Sequence, residues 1–178
     1  TQDLVNAVKD SGAKEALILP NDSNIFMAAD QAVEIADVPV KVVRTRTIQQ
    51  GLTALVLGYN PEGTLDDNAE AMTAALGDVK SGAVTTSVRD TTLNGLEIHA
   101  GDAIGLFDGE IVVAVPDADI HQAAVELLGK MIDDDSELVT VYYGQEATED
   151  DANKLEEAGL VLDEDLEFEI NDGGQPLY

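Results

Sequence analysis

The stretch that decides the fold of the first half is residues 16–25, which read ALILPNDSNI. Its four leading apolar residues predict a short buried strand, and Pro20 ends that strand. The polar segment 21–23 offers capping side chains for a helix that we expect to continue to about residue 36. Residues 40–43 are again apolar and β-branched. A strand, a helix and a second strand in this order indicate a parallel sheet.

The segments around this unit predict further helices. Residues 1–12 show an amphipathic helical pattern that is capped by Thr1 and stopped by Gly12. Helical spacing returns in residues 47–57 and 65–79. We therefore expect residues 1–80 to form an N-terminal α/β subdomain of alternating strands and helices.

The pattern changes at Gly82, where residues 83–88 are extended and β-branched. Asn94-Gly95 and Asp108-Gly109 follow, and both dipeptides are typical of tight hairpin turns. Together with apolar runs at 96–98, 103–107 and 110–115, they predict an antiparallel meander.

The remainder alternates between helix and strand. Helices are predicted at 118–132 and 148–158, the second opened by a Thr-x-x-Asp capping box. Strands are predicted at 137–143 and 166–170. The sequence thus predicts an α/β protein of two subdomains. The second, residues 81–178, is an acidic α+β subdomain whose antiparallel meander is covered by helices.

Charge is the most unusual property of the chain. It has 9 Lys and Arg residues against 36 Asp and Glu, a formal net charge of −27. Such acidity excludes nucleic acids and anionic membrane surfaces as partners. Residues 1–89 contain 7 basic and 12 acidic side chains, whereas residues 90–178 contain 2 and 24. This asymmetry fits either a solvated, salt-adapted surface or a docking surface for a basic partner. Local charge density selects the candidate docking residues, which are Asp133, Asp134, Asp135, Glu137, Glu149, Asp150 and Asp151.

Catalytic and metal-binding motifs are absent from the sequence. It contains no cysteine and no glycine-rich phosphate-binding loop. Its two histidines, His99 and His121, lack the spacing of a zinc helix, and no base accompanies the serine and threonine hydroxyls. We therefore expect no catalytic residue, no metal site and no cofactor within this chain. Because no apolar run approaches 18 residues and no signal peptide is present, we expect a soluble, cytoplasmic protein. The chain starts with Thr1 instead of Met, directly in a predicted helix, so we expect it to be a fragment of a longer protein.

Four segments carry a resemblance to a known family: residues 16–25, 44–51 (RTRTIQQG), 88–92 (VRDTT) and 171–178 (NDGGQPLY). Together they resemble the C-terminal region of the catalytic protein of bacterial fatty-acid kinase, which has a dihydroxyacetone-kinase-like ATP domain. The resemblance implies a fold related to DegV-type fatty-acid-binding proteins. It also implies docking of such a protein through a negatively charged groove, so that its fatty acid becomes an acyl-phosphate for phospholipid synthesis. ATP and Mg²⁺ would then bind the upstream kinase domain, which a linker domain joins to this region.

The same resemblance leaves a second function open. Because the related fold binds fatty acids, a cleft between the subdomains would hold a lipid or another carboxylate. The candidate ligand-binding residues in that case are Ser23, Asn24, Thr85, Thr86 and Ser87.

Overall fold

The structure is a computed structural model that describes residues 1–93 and 95–176, with every side chain in these ranges except that of Asp78. The chain divides into two compact units. Unit 1 is Thr1–Ser81, and unit 2 begins at Gly82. Both combine helices with strands, which confirms the predicted α/β class. In the ranges described, no helix has the length and apolar character needed to cross a membrane.

Unit 1 contains the predicted parallel strand pair. β1 and β2 run parallel, with Ala16 opposite Val40 and Ile18 opposite Val42. The elements of unit 1 are α1 (Gln2–Ser11), β1 (Ala16–Ile18), α2 (Phe26–Ile35), β2 (Val40–Val42), α3 (Ile48–Thr53) and α4 (Leu65–Ala75).

The connection between β1 and α2 differs slightly from its prediction. The Asp22 side chain accepts a hydrogen bond from the Asn24 amide, and this cap opens a short 3₁₀ turn, Ser23–Ile25. The α-helix itself starts only at Phe26. Its Ala29 and Ala32 are buried against Ile18 and Val40, so small side chains allow the helix to lie close to the sheet.

The helix that begins with α3 widens into a π-helical turn over Ala54–Gly58. Ala54 of this turn and Met72 of α4 pack with Val43 in a second apolar cluster, and all three residues are fully buried. At Gly58 the two helices approach so closely that an added Cβ would lie 2.5 Å from the Met72 Cα. The absence of a side chain at this position is therefore a packing requirement.

We expect Gly58→Ala to lower the free energy of unfolding by about 2–3 kcal/mol, because its methyl group would overlap backbone atoms that cannot rotate away. Urea denaturation followed by circular dichroism measures the change. Gly77→Ala is the matched control, since no atom lies within 4 Å of a Cβ added there. Equal stability of the two variants would contradict the close approach of α4 to Gly58.

Unit 2 contains an antiparallel sheet, a hairpin and a parallel strand pair. Its elements are β3 (Gly82–Thr86), β4 (Thr91–Leu93), β5 (Leu96–Ile98), β6 (Ala103–Phe107), β7 (Glu110–Val115), α5 (Ile120–Met131), β8 (Leu138–Tyr143), α6 (Glu149–Leu162) and β9 (Glu167–Asp172).

The antiparallel sheet has the order β3-β6-β7. Asp108 and Gly109 both have positive φ, 48° and 89°, which confirms the predicted turn between β6 and β7. Ala123 and Leu127 of α5 are buried against this sheet. The sequence predicted β5 as a strand of this meander, but among the described residues β5 pairs with β4 and not with the β3-β6-β7 sheet. β4 was not predicted. The predicted Asn94-Gly95 turn lies partly outside the described residues.

The last three elements form a β-α-β unit. β8 and β9 run parallel, with Leu138 opposite Glu167 and Tyr143 opposite Asp172. α6 connects them and packs on one face of the pair, where Gly159 leaves room for the Phe168 ring. The predicted capping box at Thr148 is present.

Candidate functional site

Parallel pairing brings two acidic segments of unit 2 to the same edge of a sheet. The segment before β8 and the segment before β9 must end side by side, because both strands start at this edge. The Glu167 amide donates to the Glu137 carbonyl oxygen at 2.8 Å, which extends the pairing into these segments. We call the following residues the amino-edge acids: Asp133, Asp134, Asp135, Glu137, Asp163, Glu164 and Asp165.

Two of the amino-edge acids have local structural roles. The Asp133 Oδ1 accepts hydrogen bonds from the Ser136 hydroxyl at 2.9 Å and from the Asp135 amide at 3.3 Å. The Asp163 Oδ1 accepts from the Asp165 amide at 3.0 Å. These bonds define tight turns that end where each strand begins.

The other five amino-edge acids are exposed. Within residues 1–93 and 95–176, we find no hydrogen bond or ion pair made by their carboxylates. Carboxylates that lie near one another repel, so clustering these five side chains does not stabilise the fold of unit 2. These five residues are Asp134, Asp135, Glu137, Glu164 and Asp165.

The remaining predicted docking residues, Glu149, Asp150 and Asp151, begin α6 at the opposite edge of the sheet. A six-residue strand is about 20 Å long, so the structure separates them from the amino-edge acids. Asp150 forms an ion pair with Lys154 at 2.6 Å. Asp151 accepts hydrogen bonds from the Thr148 hydroxyl at 2.7 Å and the Thr148 amide at 2.9 Å. Asp150 and Asp151 therefore stabilise the start of α6.

The pKa values at this opposite edge follow from these contacts. Hydrogen bonds from the Thr148 side chain and backbone hold the pKa of Asp151 below its ordinary value. The Lys154 pKa is raised by the bonded Asp150. The Tyr143 pKa is raised by burial first and then by the charges of Asp172 and Glu149. The raised pKa of Tyr143 therefore reflects mainly desolvation of the phenol, to which the two neighbouring carboxylates add.

We expect Thr148→Ala to cost about 1 kcal/mol of folding stability at neutral pH, because the hydroxyl that accepts from the Asp151 amide and donates to the Asp151 carboxylate is lost. The backbone amide of residue 148 still donates to that carboxylate. A carboxylate with a lowered pKa in the folded state stabilises above its unfolded pKa, and the contribution is lost as the pH falls through the folded value. The stability gap between wild type and variant should therefore shrink below about pH 4. Urea denaturation at a series of pH values measures it. A gap that widens in acid would contradict the assigned role of Asp151.

Cations are scarce in unit 2. Its only lysines are Lys130 and Lys154, and it has one arginine, Arg89. Lys154 is engaged by Asp150, and Lys130 lies in the last turn of α5. Among the residues whose placement is given, no group of three or more His, Asp or Glu side chains is arranged to hold a metal ion. The surface is suited to attract a basic macromolecule over a distance.

The structure places the candidate ligand-binding residues in different units. Ser23 and Asn24 lie in the capped 3₁₀ turn of unit 1, whereas Thr85 and Thr86 end β3 of unit 2. Ser87 donates its hydroxyl to the Arg89 carbonyl oxygen at 2.9 Å. A ligand cleft stays a prediction.

Two surface features lie outside the docking and ligand-binding residues predicted from the sequence. Asp163, Glu164 and Asp165 were not among the predicted docking residues, although parallel pairing of the last two strands would have placed them beside residues 133–137. The second feature is an apolar face on α3 and its π turn, where Val56 is 80% exposed. No charged residue occurs between Arg46 and Glu62. This α3 apolar face consists of Ile48, Leu52, Leu55, Val56, Leu57 and Tyr59.

Comparison with known proteins agrees with the resemblance found in the sequence. The sequence model of the C-terminal domain family of fatty acid kinase A-like proteins matches residues 1–178. "Protein YloV" of Bacillus subtilis (strain 168) is 43% identical over 178 residues, which are 100% of this chain and 32% of that protein. Uncharacterized proteins of Staphylococcus haemolyticus and Staphylococcus aureus (strain MRSA252) are each 40% identical, with the same coverage. The chain spans about a third of the length of these curated relatives.

Proposed function

Because this chain belongs over its whole length to the C-terminal domain family of fatty acid kinase A-like proteins, we propose that it is the docking module of a fatty-acid kinase. The module recruits a DegV-type fatty-acid-binding protein and orients it toward a kinase domain elsewhere in the longer chain. It takes no chemical part in the reaction.

The observation that carries this proposal is the amino edge of β8 and β9. Two segments about 30 residues apart in sequence meet there, and together they present five exposed carboxylates. Keeping carboxylates this close has an electrostatic cost, which a partner with lysine and arginine side chains would offset. Solvation alone would be served equally well by charges spread over the surface.

Docking would act through encounter rate and local concentration. A negative surface attracts a basic partner over roughly the Debye length, about 10 Å at 0.1 M salt, and so raises the association rate. Once bound, the carrier and its fatty acid are held near the kinase domain at an effective concentration that the linker sets, in the millimolar range for a short flexible linker. Bound fatty acid is thereby presented without release into water.

The chemical step belongs to the upstream part of the parent chain in this proposal. ATP and Mg²⁺ would be held there, and the fatty-acid carboxylate would receive the γ-phosphoryl group to give an acyl-phosphate and ADP. The product fits use in phospholipid synthesis.

We expect this domain to form a complex with the DegV-type fatty-acid-binding protein of the same genome in low salt, about 50 mM, and to bind it far more weakly near 0.5 M. Sedimentation velocity of the mixture measures complex formation at both salt concentrations. Asp134→Lys combined with Glu164→Lys should weaken binding about tenfold in low salt, since both carboxylates are exposed and lack local roles.

Glu97→Lys combined with Glu110→Lys is the matched control. It changes the net charge equally, at exposed positions on β5 and β7. Equal weakening by both double variants would mean that net charge alone governs binding. Absence of a complex at either salt concentration would overturn the docking function and would leave the acidity as a solubility property.

A further inference from the structure

The parallel pair β8–β9 is covered on one face only. α6 packs on the face that contains Phe168. On the other face, Leu138 remains 54% exposed and Tyr142 42% exposed. We call this surface the open face; it consists of Leu138, Thr140, Tyr142, Glu167, Glu169 and Asn171, all exposed.

An open face is unusual for strands of this kind. Parallel sheets are found almost always with both faces covered, since their crossover helices lie on the faces and their edges are not joined by hairpins. A two-stranded sheet is also marginal by itself. The open face therefore has the character of a surface that another layer of protein completes.

The side chains of the open face indicate what that layer would contain. Leu138 lies opposite Glu167 and Thr140 opposite Glu169, so the two strands present different kinds of side chain on the same face. β8 offers Leu138 and Tyr142 on either side of Thr140, and β9 offers two carboxylates followed by the Asn171 amide. Tyrosine is among the residues that most often dominate binding energy at protein interfaces. A complementary surface has apolar side chains flanked on one side by lysine or arginine.

The size of the open face shows that it does not act alone. Two strands of about 20 Å, about 4.8 Å apart, cover only a few hundred Å². A stable protein interface buries about 800 Å² on each partner. The amino-edge acids adjoin this surface, because they lie at the edge where β8 and β9 begin.

We infer that the open face is the centre of the docking surface, with Leu138 and Tyr142 as its apolar contacts and Glu167 and Glu169 as ion-pair partners for the basic protein. The inference rests on the proposed docking function and adds its location. The amino-edge acids form the rim, where charge governs the association rate. The open face governs how long the complex lasts.

Tyr142→Ser tests the inference directly. We expect it to weaken binding of the DegV-type protein about tenfold or more, mainly through a faster dissociation rate. Val161→Ser is the matched control, because Val161 is 86% exposed on α6 and lies outside the open face. Surface plasmon resonance gives both rate constants, and circular dichroism verifies the fold of each variant.

Hydrogen exchange of the wild-type complex provides a readout that does not depend on variants. Exchange should slow on complex formation in residues 138–143 and 167–172, more than in β4 and β5. If the wild-type domain binds its partner while Tyr142→Ser binds equally well and these strands gain no protection, the open face is not the docking site, although the docking function stands. If the wild-type domain does not bind, the docking function fails, and the inference fails with it.

Discussion

Parallel pairing of β8 with β9 requires the chain to cross from one end of the sheet to the other through α6, and the positions of the acidic segments in unit 2 depend on this crossover. The segments before the two strands meet at one edge, whereas the start of α6 lies at the other. An antiparallel hairpin of the same strands would have placed residues 133–137 beside the end of β9. Topology thus decides which carboxylates act together.

Unit 2 tolerates its charge because apolar burial and local hydrogen bonds hold the segments that bear the carboxylates. Leu166 is buried directly before β9, and Leu127 and Leu128 are buried on α5, so apolar burial anchors the elements that bear the carboxylates. Asp133 and Asp163 use their charge locally, by accepting backbone and hydroxyl hydrogen bonds in the turns. The remaining carboxylates point into water, where screening reduces their mutual repulsion. Charge is therefore concentrated at sites where the backbone is already held by other interactions.

Local chemistry could be predicted from the sequence, and long-range pairing largely could not. The helix end at Gly12, the capping box at Thr148 and the turn at Asp108-Gly109 depend on a few adjacent residues, and all three are present. The pairing of β8 with β9 joins residues 29 apart, and it was not inferred from the predicted strand-helix-strand order of residues 137–170, although the same order indicated the parallel pair of unit 1. For that reason charge density selected Glu149, Asp150 and Asp151 together with residues 133–137, although the structure places them at opposite edges. The π turn after α3 was missed because helical periodicity alone does not reveal one extra residue in a turn.

The scarcity of lysine in unit 2 has a chemical consequence. Of its two primary amines, that of Lys154 is protonated more strongly than usual by its contact with Asp150, and protonated amines are poor nucleophiles. Lys130 is exposed at the end of α5. An amine-reactive dye has only these two lysines to react with in unit 2, and Lys130 lies three residues before the first amino-edge acid. A carbodiimide reacts instead with the abundant carboxylates of this unit. The activated carboxylates then form amide bonds with lysine side chains of a neighbouring protein.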